Sequence, residues 1–337
     1  MKINKRKILG RGATATIYEA ENNGKFFAAK IYHSSKKIDI KKIEAMMDNP
    51  PIKMETKIDG INFQQFAWPE KFVTSDKGEI IGFLMPLIDL KNSFSLDCFY
   101  DKILFSKLNS KNEVALTFRL AIARNLSKVV SDIHHENHHF IDLKPQNIRV
   151  YKGTHAVTLL DCDGFSIQSK KKQRFSADLI STDYIPPEAT QNNMSPKEMG
   201  EEQDLYALAV ILFQLLNNGT HPFQGILKKT KKANTNDEKA AQGLYPHGLV
   251  SNVFIKPRPQ SIHHTWLEST RKLFDLAFTG TSNQRPSASD WANHFEDLLN
   301  NKLVVRCHKV PNSLIHLKFK NMKCPACYLE DLAIKSG

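Results

Sequence analysis

With 337 residues, 41% hydrophobic and 24% charged, the chain has the apolar material for sizeable cores, which excludes global disorder and makes about two domains the starting expectation. Forty-seven Lys and Arg against 35 Asp and Glu give a net charge of +12, favouring anionic partners: phosphorylated ligands, nucleic acid or acidic proteins. The lysine-rich start has no apolar run of the signal-peptide kind, and no stretch offers about 18 consecutive apolar residues, so a cytoplasmic chain without a membrane span is expected.

In chain order, apolar runs at 7–9, 16–20 and 25–32 alternate with turn signals and predict three antiparallel strands. A helical pattern at 36–47 stops at Asn49, Pro50 and Pro51, and two more strands are expected at 72–74 and 80–85. From Val114 the period becomes that of an amphipathic helix, with Leu116, Leu120, Ile122, Ala123, Leu126, Val129, Val130 and Ile133 on one face. The run 205–216 is apolar almost all round and predicts a helix at the centre of a larger lobe. Residues 226–243, with Lys228, Lys229, Lys231 and Lys232, read as a loop and a short helix. A last helix at 289–300 leads into a distinct tail.

The chemistry begins at Gly10-Arg11-Gly12-Ala13-Thr14-Ala15, a turn between two strands, which argues against a dinucleotide fingerprint opening a helix. Glycines there let backbone N–H groups approach phosphate oxygens. Lys30 closes Phe27-Ala28-Ala29-Lys30, where a strand ammonium can pair with two phosphates. Next come Asp142-Leu143-Lys144-Pro145-Gln146-Asn147 and an apolar strand ending in Asp161-Cys162-Asp163-Gly164-Phe165. Tyr184-Ile185-Pro186-Pro187-Glu188, then Asp204 at the head of the buried helix, then Arg285-Pro286-Ser287 complete the series.

These motifs, in this order over about residues 5–300, resemble the protein kinases. The resemblance implies an α+β, bilobal kinase-like fold, with a β-rich N-lobe at 1–88, an α-helical C-lobe at 89–300 and a small zinc-binding tail at 301–337. It implies ATP between the lobes, with Gly10, Gly12 and Ala28 around the nucleotide, Lys30 on its phosphates, and Met85 and Leu87 of Met85-Pro86-Leu87 at the adenine edge. Asp142 would take the acceptor hydroxyl proton, Lys144 would neutralise the transferred group, and Asn147 and Asp161 would hold Mg2+ or Mn2+, with Asp163 the competing ligand. The expected carboxylate partner of Lys30 is Glu44, with Glu55 as the alternative. The Lys144 form of the loop implies serine or threonine as acceptor, while Glu188, Arg285 and Asp204 hold architecture.

Several positions depart from the family pattern. Ala15 replaces the third glycine, and Cys162 and Asp163 replace the phenylalanine and glycine of D-F-G. Phe140 and Ile141 stand where most kinases have His-Arg. The missing arginine usually grips an activation-segment phosphate, so competence without loop phosphorylation is expected, although Ser166, Ser169, Ser176, Ser181 and Thr182 remain candidates for autophosphorylation.

In the tail, Cys307, His316, Cys324 and Cys327 form C-x8-H-x7-C-x2-C, a donor set for a closed structural zinc, with His308 as the alternative fourth ligand. The crowded cysteines favour a metal site over a disulfide framework, and isolated Cys98 and Cys162 take no part. His134, His135, His138 and His139 have no cysteine or carboxylate that completes a ligand spacing, so they are not read as a metal site.

With the knuckle, the chain resembles a bacterial group of eukaryotic-like kinases that accompany a phosphatase and a TerY-like von Willebrand A protein. That implies a phosphorylated protein substrate, a cognate phosphatase, a von Willebrand A-type partner and a stress or signalling role. Two other classes stay open: a pseudokinase scaffold binding ATP and a partner, and a nucleic-acid module. The second is disfavoured because Phe319 and Tyr328 are the main stacking candidates beside Lys318, Lys320 and Lys323.

Overall fold

The turn chemistry of the amino terminus produces hairpins longer than the apolar runs alone suggest. The computed structural model describes residues 2–33, 38–100 and 115–336. Within it β1 (Lys2–Arg11), β2 (Ala15–Asn22) and β3 (Lys25–Tyr32) pair antiparallel in sequence order. Asn23 and Gly24 close the β2–β3 turn at φ 52° and 77°, a region those two residue types enter at least cost.

The expected helix start at Lys36 lies outside the described residues. α1 (Ile40–Asp48) begins where the Asp39 side chain accepts the Lys42 N–H at 3.1 Å, and it ends at Asn49 before the proline pair. The hairpin of β4 (Glu55–Ile58) and β5 (Ile61–Gln64) was not expected, since its residues are exposed or half-buried and carry no clean apolar alternation. β6 (Lys71–Thr74) and β7 (Ile80–Pro86) complete a five-stranded sheet of order β1-β2-β3-β7-β6. β3 and β7 approach closely at Lys30, where a Cβ on Gly82 would lie 2.0 Å from the Lys30 carbonyl oxygen, so glycine is required there.

β8 (Ser93–Ser95), β9 (Ile148–Tyr151) and β10 (Val157–Leu159) form a second sheet of order β10-β9-β8. The residues after β5 run parallel to β10, with the Leu159 N–H donating to Gln65 O at 2.8 Å and the Ala67 N–H to Leu159 O at 2.9 Å. α2 (Leu116–His135) buries the predicted apolar face; Val114 lies outside the described residues.

Two-residue strands β11 (Ile167–Gln168) and β12 (Arg174–Phe175) precede α3 (Pro187–Gln191) and α4 (Glu201–Leu216). Thirteen of the sixteen residues of α4 are buried. Its leucines, isoleucine and phenylalanine each contribute about 1.5–3 kcal/mol on leaving water, which is why an all-round apolar helix sits at the centre.

The short helix expected within 226–243 is α5 (Asn236–Ala241), while the expected loop before it opens with a strand, β13 (Gly225–Leu227), that pairs with the distant β14 (Ile255–Pro257). α6 (Glu268–Thr279) and α7 (Ala288–Asn300) follow, and Phe213, Phe274, Trp291 and Phe295 make the aromatic part of the core. The tail consists of β15 (Val304–Arg306), β16 (Leu317–Phe319) and α8 (Pro325–Ser336). It packs onto the larger lobe: the Phe319 and Trp266 ring centroids are 5.1 Å apart, and the Tyr328 hydroxyl donates to Pro259 O at 2.7 Å. The whole is the expected α+β, two-lobed arrangement, and among the described residues no helix is long and apolar enough to cross a membrane.

Candidate active site

Backbone braces hold the loop that carries Asp142. Asp204, fully buried at the head of α4, accepts the N–H groups of Phe140 and Ile141 at 2.7 Å each and contacts His134 Nε2 at 3.0 Å. Those bonds sustain φ 62° at Ile141, a conformation β-branched residues avoid. Burial alone would lower the pKa of His134, but hydrogen bonds to Asp204 and Glu201 reverse this and raise it to about 9, so a cation faces the buried carboxylate.

Asp142 Oδ2 accepts from Lys144 Nζ at 2.5 Å, while its Oδ1 has no partner among the described residues. Lys144 also donates to Ser181 Oγ at 3.2 Å. The Asn147 carbonyl accepts the Leu160 N–H at 2.8 Å, which ties the end of the loop to the residue before Asp161.

On the opposite wall the turn after β10 splits its two aspartates. Asp161 adopts φ 54° and ψ 36° with its side chain 57% exposed, whereas the Asp163 side chain is only 12% exposed. Lys30 Nζ lies 2.6 Å from Asp163 Oδ1 and 3.4 Å from Asp161 Oδ1, and the Tyr32 hydroxyl donates to Asp163 Oδ2 at 2.6 Å. Burial would depress the Lys30 pKa, but the two carboxylates hold it above its ordinary value; Asp163 stays below the ordinary carboxylate range, because Lys30 outweighs the effect of burial.

Lys30 therefore has partners other than the expected Glu44 or Glu55. α1 turns Lys42, Ile43, Ala45 and Met46 inward, which leaves Glu44 on the exposed face, and Glu55 accepts hydrogen bonds from Asn62 and Gln64 inside its own hairpin. The sequence did hold a signal for Tyr32, since residues two apart on a strand share a face.

Ala28 and Met85 are cross-strand partners, both buried, and Leu87 lies half-buried just past β7. A Cβ at Gly10 or Gly12 would meet nothing nearer than 3.8 and 3.7 Å respectively, so the chain's own packing does not require glycine at either position.

Cys162 is buried, and the phenylalanine that packs against Phe140, just before Asp142, is Phe165, 4.5 Å from the Phe140 ring centroid and 6.3 Å from that of Trp68. Ile141 joins Ala177, Ala189 and Met199 in a separate apolar cluster edged by Ile180, Ile185 and Met194. Arg285 grips Glu188 with both amino groups, one at 2.8 Å, and lies over the Tyr206 ring. His138 Nε2 donates to Asn49 O at 2.9 Å and its Nδ1 accepts the Gln168 N–H at 3.1 Å, so this ring joins three segments.

In the tail, donor atoms of Cys307, His316, Cys324 and Cys327 all lie within 4.8 Å of one another. Cys307 and Cys327 sulfurs are 3.6 Å apart, and His316 Nδ1 is 3.4 and 3.8 Å from the sulfurs of Cys327 and Cys324. Tetrahedral zinc–sulfur bonds near 2.3 Å require edges of about 3.8 Å, so the set fits such an ion. His316 Nε2 meets Glu330 Oε1 at 3.1 Å, the outer contact that fixes a ligating imidazole. His308 is exposed and outside the set.

The chain belongs to the protein kinase family, whose protein kinase domain matches residues 3–295. It is similar to the protein kinase YegI of Escherichia coli (strain K12), at 25% identity over 335 residues that cover 97% of this chain and 48% of that protein. It is also similar to the serine/threonine-protein kinase PknD of Chlamydia muridarum, 28% identical over 244 residues, covering 62% of this chain and 24% of the other. A third relative is the liver/testis phosphorylase b kinase gamma catalytic chain of Mus musculus, 27% identical over 228 residues, 66% of this chain and 52% of that one. The chain spans about half or less of the length of these relatives.

Proposed function

We propose that this chain transfers the γ-phosphoryl group of ATP to serine or threonine hydroxyls of a protein substrate. The observation that carries the reading is Asp142, with one carboxylate oxygen held by Lys144 and the other without a partner among the described residues. That oxygen is shielded from water and lacks a donor, a want that an incoming hydroxyl meets once it enters beside it, and phosphoryl transfer asks little more of the protein than positioning and charge neutralisation.

Lys144 then faces the transferred group and Lys30 the other phosphates. Gly10 and Gly12 bring backbone N–H groups over them, which gives the two glycines a purpose that packing alone does not. Ala28, Met85 and Leu87 enclose the adenine. Asn147 and the exposed carboxylate of Asp161 fit Mg2+ or Mn2+, which when bound neutralises phosphate charge. Cys307, His316, Cys324 and Cys327 hold a structural zinc. In this reading the N-lobe runs to residue 88 and the C-lobe to 300, the tail is the remainder, and the protein acts in the cytoplasm.

The Ile141 cluster supports activity without loop phosphorylation, because apolar contacts occupy the place where an arginine would grip a phosphate. Alanine at Ser169, Ser176 and Thr182 together should leave transfer within about threefold of wild type, as expected for exposed or half-exposed side chains. The resemblance to triad kinases adds a cognate phosphatase and a von Willebrand A-type protein as partners in a stress response.

The test is transfer from labelled ATP and magnesium to the chain itself and to a generic basic protein, comparing wild type with Asp142→Ala. Transfer that vanishes in the variant supports the kinase. Folded protein that binds ATP and transfers nothing is instead a scaffold.

A further inference from the structure

A strand lysine that must reach phosphates needs an acid to hold it, and the helix glutamate expected for that task points elsewhere. We propose that Asp163, braced by the Tyr32 hydroxyl, is the positioning carboxylate of Lys30, so that the lysine is set by the turn carrying Asp161 and not by α1. The inference rests on the phosphoryl-transfer reading above.

Three observations carry it. First, both carboxylate oxygens of Asp163 are used, one by Lys30 at 2.6 Å and the other by Tyr32 at 2.6 Å, and Tyr32 leaves β3 on the same face as Lys30. A largely buried carboxylate with both oxygens engaged has a fixed orientation, and it fixes the ammonium it pairs with.

Second, α1 is held by bonds that do not involve Lys30. Trp68 Nε1 donates to Met46 O at 2.8 Å, His138 to Asn49 O at 2.9 Å, and Asn49 Nδ2 to Gln168 O at 3.0 Å. The inward charge of α1 is Lys42, a second cation, which donates to Ser176 O at 3.3 Å. The helix thus brings no carboxylate to the lysine and does not need the lysine to stay in place.

Third, Asp163 and Asp161 belong to one tight turn, closed by the Gly164 N–H on Asp161 O at 3.0 Å over the buried Cys162. A displacement of either aspartate moves the other. The lysine on the phosphates and the metal ligand are therefore set together, and α1 is not the element that switches them.

The experiment measures acylation of Lys30 by a small amine-reactive acetylating reagent, read by mass spectrometry, alongside kcat and KM for ATP. The variants are Asp163→Asn, Asp163→Glu, Tyr32→Phe and Glu44→Gln. Asp163→Asn should speed Lys30 acylation about tenfold, because the lysine loses the carboxylate that holds it at 2.6 Å and swings free toward the reagent, and lower kcat/KM by about 30-fold or more with KM for ATP raised. Asp163→Glu should restore part of both. Tyr32→Phe should shift both about threefold in the same directions, and Glu44→Gln should leave both within about twofold.

Acylation that responds to Glu44→Gln and not to Asp163→Asn overturns the proposal. If Asp163→Asn fails to fold, Tyr32→Phe decides, and unchanged acylation in that variant overturns it equally. Acylation needs no turnover, so a chain that transfers no phosphate removes the kinase reading and leaves the lysine result to be judged separately.

Discussion

The two walls of the cleft are built from different distances along the chain. One gathers Asp142, Lys144 and Asn147 within six residues and braces them from behind with Asp204. The other brings Tyr32 to Asp163 across 131 residues of sequence. The first wall is a motif that carries its own geometry, whereas the second exists only once the sheet of the small lobe has met the turn after β10.

Asp204→Ala probes the first wall hardest, since it strips partners from two backbone N–H groups and leaves a buried cationic His134. Chemical denaturation should show a loss of about 3–5 kcal/mol, and an unchanged stability would break the contrast. On the second wall, Gly82→Ala forces a Cβ against the Lys30 carbonyl and should cost about 1–3 kcal/mol, with Lys30 acylation altered while the Asp142 loop keeps its fold.

The walls also answer differently to pH. His134 rises from 6.5 to about 9 in the folded chain, so its contribution is fully present below pH 6.5 and is lost as pH climbs through about 9. The full effect is of order 3 kcal/mol, and His134→Asn should flatten denaturation midpoints measured between pH 6.5 and 9. The depressed carboxyl of Asp163 works at the other end: its contribution is present above the ordinary value of 3.8 and is lost as pH falls through its lower folded value. Raised above 10.5, Lys30 contributes below that value and loses its contribution only at more alkaline pH. Only the Asp142 side should therefore weaken between neutrality and pH 9.

The smallest effect on either wall should come from the tail. On the zinc reading proposed for the tail, Cys324→Ser or chelation should expose Trp266 to water as a red-shifted fluorescence and lower the melting temperature by about 4 °C, with Lys30 acylation unchanged.

The same contrast decides what was legible beforehand. The Asp142 loop, the α4 helix and the Cys/His donors could be read because their members are close in sequence or share one period. The partner of Lys30 could not, since helix phase sends Glu44 outward and an aspartate from the far side of the chain takes its place. Phe165 was hidden in the same way, arriving four residues after Asp161 to pack against Phe140. β13 was missed because its partner, β14, lies almost thirty residues on, and the docking of Phe319 on Trp266 carries no periodic signal at all.

The apolar seat of Ile141 has a consequence for the conditions in which the protein works. A phosphate gripped by arginine loosens as salt screens it, while contacts among Ile141, Ala177, Ala189 and Met199 have no charge to screen. Their strength falls on cooling instead, because the hydrophobic driving force is entropic near room temperature. A segment seated this way keeps its contacts in brine and holds them less tightly in the cold.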